Sequence, residues 1–256
     1  MKILANDGIS NSGKEALEKG GFEVITTKVA QNQLENYINE YNIDAIIVRS
    51  ATQVRQELIE ACPSIKLIGR AGVGMDNIDV DYATDNGVHV INTPSASSNA
   101  VAELVFAHLF GMTRFLHQSN RDMPLEGDSR FKALKKQFSN GVELKGKTLG
   151  IIGLGNIGQE VAKIALGIGM NVVAADSLIE QQTINISFFN GQSIDIDIAT
   201  QPVNEVLKTA DFITLHVPSQ EEYILKEDQF NSMKDGVGII NTSRGGTIDE
   251  VALVNA

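Results

Sequence analysis

The sequence has very little cysteine and lacks tryptophan. It has one cysteine, Cys62, and no tryptophan among 256 residues. A single cysteine excludes an intrachain disulfide and fits a reducing compartment. Cys62 precedes Pro63 at the end of a helical pattern, and no cationic partner is evident nearby. We therefore interpret it as a core residue and not as a nucleophile.

Long hydrophobic runs are also missing. The first seven residues contain too short an apolar run for a signal peptide. The longest apolar stretch, Val101–Met112, is interrupted by Glu103 and His108 and is too short to span a bilayer. The sequence therefore predicts a cytoplasmic protein without membrane contact.

Basic residues are in the minority. The 21 Lys and Arg residues face 32 Asp and Glu residues, for a net charge of -11. This balance argues against bulk affinity for nucleic acid or anionic membranes. Solubility is the simplest role of the acidity, and it leaves room for a local basic pocket that would bind an anionic metabolite.

The first part of the chain alternates between short apolar runs and amphipathic segments. This alternation predicts a parallel sheet with helical crossovers, close to a flavodoxin-like domain of residues 1–93 that ends before Pro94. The predicted strands are Lys2–Asn6, Glu23–Thr26, Ala45–Val48, Leu67–Gly69 and Val88–Asn92. The predicted helices are Ser12–Lys19, Gln31–Tyr41, Val54–Ala61 and Val80–Asn86.

The remainder, residues 94–256, is predicted to form a second α/β domain. A long amphipathic helix is expected over about Ser97–Ser119, followed by an irregular charged connector over Asn120–Lys145. A second strand series then begins at Lys147–Ile152. Its later strands are predicted at Asn171–Ala175, Asp211–His216 and Val237–Asn241.

One segment departs from this alternation. The runs Thr183–Phe189 and Gln192–Ile198 alternate apolar and polar residues and flank Asn190-Gly191, a strong hairpin signal. We expect a β-hairpin inserted after the second strand of this series. It could lie near an adenosine pocket or at a subunit contact, and the sequence does not favour either place.

A glycine motif marks the start of the second series. Gly153, Gly155 and Gly158 follow an apolar strand directly and open an amphipathic helix over Ile157–Gly167. In this context the first glycine permits a tight turn, the second lets the backbone approach a pyrophosphate, and the third allows close packing of helix on strand. The pattern predicts a Rossmann dinucleotide-binding domain and no metal site.

Asp176 ends the next strand, 18 residues after the last glycine. A carboxylate at this position can accept hydrogen bonds from the hydroxyls of an adenosine ribose. It would repel a 2′-phosphate, and no arginine follows it. The sequence therefore favours NAD over NADP.

Seven blocks of residues match a known family in the same order. The chain resembles the D-2-hydroxyacid dehydrogenases, and most of all the members that act on 3-phosphoglycerate. The blocks are VRSAT (48–52), IGRAGVGMDNID (68–79), INTP (91–94), VAEL (101–104), GLGNIG (153–158), FITLHVP (212–218) and INTSRGG (240–246).

The resemblance implies an enzyme of two domains with the ligand cleft between them. The flavodoxin-like domain would lie on the substrate side, and the Rossmann domain would bind NAD and form a homodimer through its long helix. The implied reaction is the NAD-dependent oxidation of 3-phosphoglycerate to 3-phosphohydroxypyruvate, which supplies serine biosynthesis.

The resemblance also assigns residues to the cofactor. Arg244 matches the catalytic arginine, whose planar guanidinium can hold a carboxylate and polarise a carbonyl. Further cofactor positions lie beside the pyrophosphate, the adenosine half and the nicotinamide ribose: Asn156, Ile157, His216, Val217, Pro218, Thr242, Ser243 and Val73.

On the substrate side, the matching loop is Ala71, Gly72, Val73 and Gly74, whose backbone N–H groups would cradle the substrate carboxylate. Arg49 and Ser50 match positions that reach the phosphate. Arg70 could assist them or could form a salt bridge with a neighbouring acid.

The family's catalytic glutamate and histidine are expected a few tens of residues beyond the Arg-Gly-Gly block. Only 12 residues follow Arg244, and they contain no histidine. His89, His108 and His117 are interpreted as structural, with His108 on the apolar face of its helix, and His216 maps to the adenosine side. We expect a fragment that lacks the last Rossmann strands and the return segment of the first domain, and that does not turn over.

Two alternatives remain open. The full-length protein could act on another 2-hydroxy acid, such as glycerate, glyoxylate or D-lactate. It could instead be a non-catalytic NAD-sensing module, like the corepressors built on this scaffold.

Overall fold

The computed structural model describes all 256 residues, which divide into an N-terminal unit of residues 1–97 and a C-terminal unit of residues 98–256. The division falls four residues after the predicted boundary at Thr93. No helix combines the length and the apolar content that crossing a lipid bilayer requires.

The N-terminal unit is a five-stranded parallel sheet with the order β2-β1-β3-β4-β5. This is the flavodoxin-like order, so the predicted fold of the unit is confirmed. Its strands are β1 (Lys2–Ala5), β2 (Glu23–Ile25), β3 (Ala45–Val48), β4 (Leu67–Arg70) and β5 (His89–Asn92).

Crossover helices connect these strands, as a parallel sheet requires. A buried apolar cluster between them and the sheet includes Leu4, Ile38, Ile46 and Ile68. The helices are α1 (Asn11–Lys19), α2 (Leu34–Tyr41), α3 (Gln56–Ala61) and α4 (Val80–Asp85), with a short 3₁₀ turn at Gln31–Gln33.

The C-terminal unit contains a four-stranded parallel sheet with the order β11-β10-β6-β7. This order matches the central four strands of a Rossmann sheet, in which the strand order reverses between β6 and β10. The strands are β6 (Thr148–Ile152), β7 (Asn171–Ala175), β10 (Phe212–Leu215) and β11 (Gly238–Asn241). The helices around them are α7 (Asn156–Gly167), α8 (Val203–Thr209), α9 (Glu227–Ser232) and α10 (Glu250–Asn255).

The predicted hairpin is confirmed. Strands β8 (Gln181–Ser187) and β9 (Ser193–Ala199) pair antiparallel in full register around Asn190-Gly191. Thr200, just after β9, forms an isolated parallel bridge with Ala174 of β7. The hairpin therefore occupies the stretch of chain in which a Rossmann half has its third strand.

The prediction for residues 97–145 is wrong in two respects. The first helix, α5 (Ser98–Thr113), ends earlier than expected because Phe115 adopts a left-handed conformation with φ of 55°. The expected connector is instead mostly helical, α6 (Leu116–Phe138), with a kink at Arg130, where φ of -123° and ψ of 19° are not helical. Pro124 and Gly127 lie inside it, because the strong helix formers of its second half and the packing of Phe138 on Phe115 outweigh their low helix propensity.

The buried face of α5 also differs from the prediction. Val105, Phe106 and Leu109 are buried, whereas Leu104 and His108 are exposed. Position 108 therefore does not lie on the buried side of the helix. The spacing alone was ambiguous because α5 is apolar around most of its circumference.

Candidate functional site

The glycine turn joins β6 to α7 and is shaped by close backbone contacts. Gly153 has φ of 97°, and its N–H donates to the carbonyl of Ala175 at 2.8 Å. A Cβ atom on Gly153 would lie 2.6 Å from the carbonyl oxygen of His216. Both the dihedral and the contact require glycine, so the tight turn predicted from the sequence is present.

The other two glycines differ in what surrounds them. A Cβ atom on Gly158 would lie 2.1 Å from the carbonyl oxygen of Gly153, so the helix packs directly on the turn. Gly155 is the N-cap of α7, and no atom lies within 4 Å of its Cβ position. No atom therefore blocks the approach of an anionic group to the Cβ side of Gly155, at the N-terminal end of the helix.

Asp176 follows β7, and backbone donors hold its carboxylate. Its Oδ2 accepts from the N–H of Leu154 at 2.7 Å. Its Oδ1 accepts from the N–H groups of Leu178 and Ile179 at 2.9 and 3.1 Å. A carboxylate has about four acceptor positions, so a ribose hydroxyl can still be accommodated. Residues 177–200 contain no Lys or Arg to receive a 2′-phosphate.

His216 lies directly after β10 and is not suited to proton transfer. Burial lowers the pKa of His216 from 6.5 to about 4, so the imidazole is neutral at pH 7. Its Nε2 lies 3.0 Å from the hydroxyl of Thr214, and its Nδ1 is buried without a partner. The residue therefore shapes the edge of the sheet beside Val217 and Pro218, consistent with its interpretation as a cofactor-side residue.

The loop after β11 carries Thr242, Ser243 and Arg244. Asn241 organises this loop: its side-chain amide donates to the carbonyl of Arg244 at 3.0 Å, and its Oδ1 accepts from the N–H of Ser243 at 3.0 Å. The Arg244 guanidinium donates to the carbonyl of Ser243 at 2.9 Å. The hydroxyl of Thr242 is buried without a hydrogen-bond partner. A polar atom in that state fits a loop that completes its contacts with a ligand.

These features all lie at the carboxyl ends of adjacent parallel strands. The order β7-β6-β10-β11 puts Asp176 at one side and the Thr242–Arg244 loop at the other. Three strand spacings separate them by about 14 Å. The open N-terminus of α7 lies between the two, at the topological switch point where such sheets bind ligands. The residues present therefore fit an extended dinucleotide, with its adenosine ribose at Asp176 and its pyrophosphate at the glycine turn.

The N-terminal unit places the predicted substrate residues at the carboxyl edge of its own sheet. Arg49 and Ser50 follow β3, and residues 71–74 follow β4. The side chain of Arg49 is exposed and forms no ion pair. The N–H groups of Ala71 and Gly72 donate to the carbonyls of Val48 and Arg70, both at 2.9 Å. Only the amides of Val73 and Gly74 therefore remain available in that loop.

Arg70 has no salt bridge with a neighbouring acid, so that alternative is wrong. A Cβ atom on Gly72 would lie 1.5 Å from a terminal nitrogen of the Arg70 guanidinium. The tip of the Arg70 side chain therefore lies against Gly72, and its Nε is buried without a partner. Arg49, Arg70 and Gly72 line the same cavity.

Sequence reasoning missed the polar network that holds these loops. Oδ2 of Asp7 accepts from the N–H of Arg49 at 2.7 Å, and Oδ1 accepts from the Thr52 hydroxyl at 2.7 Å. The Asn77 amide donates to the carbonyls of Arg49 and Thr52 at 3.0 and 2.6 Å. The only available signal was position: Asp7 directly follows the predicted first strand, Lys2–Asn6, at the sheet edge where ligands bind.

Comparison with known proteins identifies the family. The model of the D-isomer-specific 2-hydroxyacid dehydrogenase NAD-binding domain matches residues 106–256. The chain belongs to this family, and its cofactor is NAD. The resemblance inferred from the seven sequence blocks is confirmed.

Individual relatives cover the whole of the chain. A hydroxypyruvate reductase of Thermotoga maritima is 40% identical over 98% of this chain and 77% of its own length. A D-3-phosphoglycerate dehydrogenase of Methanocaldococcus jannaschii is 39% identical over 100% of this chain and 46% of its own length. The chain thus spans less than half the length of that second relative.

The solved structures agree. The NAD⁺-bound 3-phosphoglycerate dehydrogenase of Entamoeba histolytica matches with a TM-score of 0.75 at 28% identity, over 100% of this chain and 76% of that chain. The predicted α/β class and the NAD assignment are therefore confirmed.

Proposed function

We propose that the protein catalyses the NAD-dependent oxidation of 3-phosphoglycerate to 3-phosphohydroxypyruvate, a step that supplies serine biosynthesis. The observation that carries this proposal is the pair Arg49 and Arg70. Both guanidinium groups lie at the carboxyl edge of one sheet without an ion pair. In a chain with a net charge of -11, two cationic groups left without acidic partners favour a substrate with two anionic ends.

The residues divide the work by their chemistry. Gly155, Asn156 and the first turn of α7 would hold the pyrophosphate, and Asp176 would bind the adenosine ribose. Bound NAD supplies the hydride acceptor at its nicotinamide. Arg244 is the proposed catalytic residue, because a guanidinium can orient the substrate carboxylate and polarise the carbonyl formed at C2. Within the N-terminal unit, Val73 and Gly74 would offer backbone N–H groups to an anionic group of the substrate.

Proton exchange at the C2 hydroxyl needs a group that titrates near neutral pH. His89, His108 and His117 lie on strand β5 and helices α5 and α6, and all three side chains are exposed. His216 stays neutral because burial lowers the pKa of its imidazole. We therefore propose that residues 1–256 alone bind NAD but do not turn over.

The experiment compares substrates on the full-length protein. We expect kcat/KM for 3-phosphoglycerate to exceed that for D-glycerate by about a hundredfold, since the phosphate adds two or more charge-assisted hydrogen bonds. Arg49→Gln should reduce this preference by about tenfold. A full-length protein that oxidises D-glycerate at least as well as 3-phosphoglycerate would contradict the proposal.

A second candidate function is the reduction of hydroxypyruvate. It is supported by the Thermotoga maritima relative, of which this chain covers 77%. Hydroxypyruvate lacks the phosphate but keeps the carboxylate, so Arg49 would have no phosphate to bind. Measuring NADH oxidation with hydroxypyruvate and with 3-phosphohydroxypyruvate decides between the two.

We further propose a cytoplasmic homodimer formed through the C-terminal unit. The support is a set of large apolar side chains that remain exposed on α5 and α6: Leu104, Met112, Leu116, Leu125 and Phe131. Exposed apolar groups at this density are typical of a surface that is covered in solution.

A further inference from the structure

The hairpin of β8 and β9 has no role in the proposed function. The two strands pair only with each other, apart from the isolated bridge at Thr200. At the base of the hairpin, Ile184 is buried in the same apolar cluster as the helix α7. At its tip, Phe188, Phe189 and Ile194 remain exposed. The hairpin is therefore anchored at its base, and its tip projects into solvent.

Two hydrogen bonds, one at each end of the hairpin, determine which backbone groups of β8 face outward. The N–H of Phe188 donates to the carbonyl of Gln192 at 2.8 Å. The N–H of Thr200 donates to the carbonyl of Glu180 at 2.9 Å. Because bonded and non-bonded pairs alternate along an antiparallel ladder, the even-numbered residues of β8 bond to β9. The residues of β8 whose N–H and C=O groups point away from β9 are therefore Thr183, Asn185 and Ser187.

The two outer edges of the hairpin differ in charge. Asp195 and Asp197 lie at outward-facing positions of β9, so pairing of two β9 strands would bring like charges together. β8 has neither a charged residue nor a proline, the features that normally protect an edge strand from pairing with another chain. The side-chain amide of Gln182 donates to the carbonyl of Thr183 at 3.1 Å, which leaves that oxygen a second acceptor position. The edge of β8 is therefore the one that is open to a further strand.

The sequence of β8 is complementary to itself. Residues 183–187 read Thr-Ile-Asn-Ile-Ser, which has nearly the same pattern in both directions. In an antiparallel pair of two β8 strands centred on Asn185, this residue faces its own copy. Thr183 of each copy then faces Ser187 of the other, and Ile184 of each copy faces Ile186 of the other. Polar residues thus meet polar residues and apolar residues meet apolar ones, as a contact across a two-fold axis requires.

We propose that β8 pairs antiparallel with β8 of a second copy of this chain, which forms a four-stranded sheet across a two-fold axis. The outward-facing groups would form about six backbone hydrogen bonds. The exposed Phe188 and Phe189 of each copy would lie beside the base of the other hairpin and lose contact with water. This contact is separate from the proposed homodimer through α5 and α6, and two different two-fold contacts combine into a tetramer. The inference goes beyond the proposed reaction, and only the expected mass of four chains depends on the proposed homodimer.

The first test traps the contact in the full-length protein with Asn185→Cys. The Cα atoms of a hydrogen-bonded antiparallel pair lie about 5.5 Å apart, which suits a disulfide. Oxidised glutathione should therefore link most chains into pairs on a non-reducing gel. Asp195→Cys, at the position of β9 that faces Asn185 in the hairpin, is the matched control and should stay unlinked. The native Cys62 is buried, and burial raises the pKa of its thiol to about 11, so it should not react.

The second test measures the mass of the full-length protein by light scattering. The wild-type protein should have the mass of four chains. Asn185→Pro removes an outward-facing N–H that β9 does not use, so the hairpin should persist while the contact between copies is lost. We expect its mass to fall by half and its NAD affinity to stay within about twofold of wild type. Asp195→Pro makes the same change at the other edge and should keep the wild-type mass.

The outcomes separate this inference from the proposed homodimer. If the wild-type protein has the mass of two chains and Asn185→Cys is linked, the inference stands and the homodimer through α5 and α6 is wrong. If it has the mass of two chains and Asn185→Cys stays unlinked, the inference is overturned and the homodimer stands. Equal linking of both cysteine variants, or the same mass change in both proline variants, would show that the edge of β8 is not the specific contact and would also overturn the inference.

Discussion

The two units present the same end of a parallel sheet to a ligand, but they line it with different chemistry. In the C-terminal unit the glycine turn offers backbone N–H groups, and the acidic side chain of Asp176 is held by three backbone hydrogen bonds. In the N-terminal unit the prominent groups are the cationic side chains of Arg49 and Arg70, neither of which forms an ion pair. The proposed cofactor contacts thus come largely from the backbone, whereas the proposed substrate contacts depend on side chains that can be exchanged without altering the fold.

The largest expected effect comes from a glycine-to-alanine substitution, made once in each unit. Gly158→Ala places a Cβ atom 2.1 Å from the backbone oxygen of Gly153, and backbone cannot move aside cheaply. We expect a loss of about 3 kcal/mol in the free energy of unfolding and no measurable NAD binding. Gly72→Ala displaces only the tip of Arg70, so we expect about 1 kcal/mol, mostly from its φ of 158°, with NAD affinity unchanged.

Urea unfolding and NADH fluorescence titration measure both quantities. Gly167→Ala, at the end of the same helix and with no atom within 4 Å of its Cβ position, is the matched control and should keep wild-type stability. Equal free energies of unfolding for Gly158→Ala and Gly72→Ala would contradict the expected difference between the glycine turn and the Gly72 loop.

An intermediate effect concerns His216, the buried titratable group of the cofactor edge. Its folded-state pKa of about 4 lies below the ordinary value of 6.5, so the unfolded chain binds a proton that the folded chain does not. Stability should therefore fall as the pH drops from 6.5 to 4, by on the order of 2 kcal/mol. Thermal unfolding across this range measures the slope, with the exposed His89→Gln variant as control. A pKa near 6.5 for His216, measured by NMR, would show that water reaches this imidazole and would contradict the prediction.

The smallest expected effect sharpens the role of Asp176. Asp176→Asn retains an acceptor for Leu178 and Ile179 but loses the ionised acceptor for the N–H of Leu154. We expect NAD affinity to fall about tenfold, or ~1.4 kcal/mol, and the preference for NAD over NADP to narrow. Calorimetric titration with both cofactors measures this, and Asp195→Asn on the hairpin is the control. Unchanged NAD affinity would disconnect the carboxylate from the ribose.

The sequence was most informative where a local pattern has one physical solution. The glycine turn, the acid after β7 and the Asn190-Gly191 hairpin were all predicted, because each depends on residues close together in the chain. The helix over Leu116–Phe138 was missed because Pro124 and Gly127 favour a break that packing overrides. The hydrogen bonds of Asp7 and Asn77 were missed because their partners lie 25 to 45 residues away along the chain, and no local sequence pattern predicts such contacts.

The alternative of a paired Arg70 shows the same limit. A guanidinium near acids in sequence is expected to find one, yet Arg70 lies on Gly72 instead. Which cationic side chains form ion pairs with acidic residues is determined by the folded structure and cannot be predicted from the sequence. A cationic side chain without such a pair is a better candidate for binding an anionic ligand.

The single bridge between Thr200 and Ala174 has a consequence for how this protein can change. The hydroxyl of Thr200 donates to the carbonyl of Ile179 at 2.6 Å, and its N–H donates to the carbonyl of Glu180 at 2.9 Å. The chain therefore leaves the sheet after β7 and returns to it at Thr200, beside the point where it left. Residue pairs can be added to or removed from its tip without shifting β10, so this part of the chain can vary in length while the nucleotide edge stays in register.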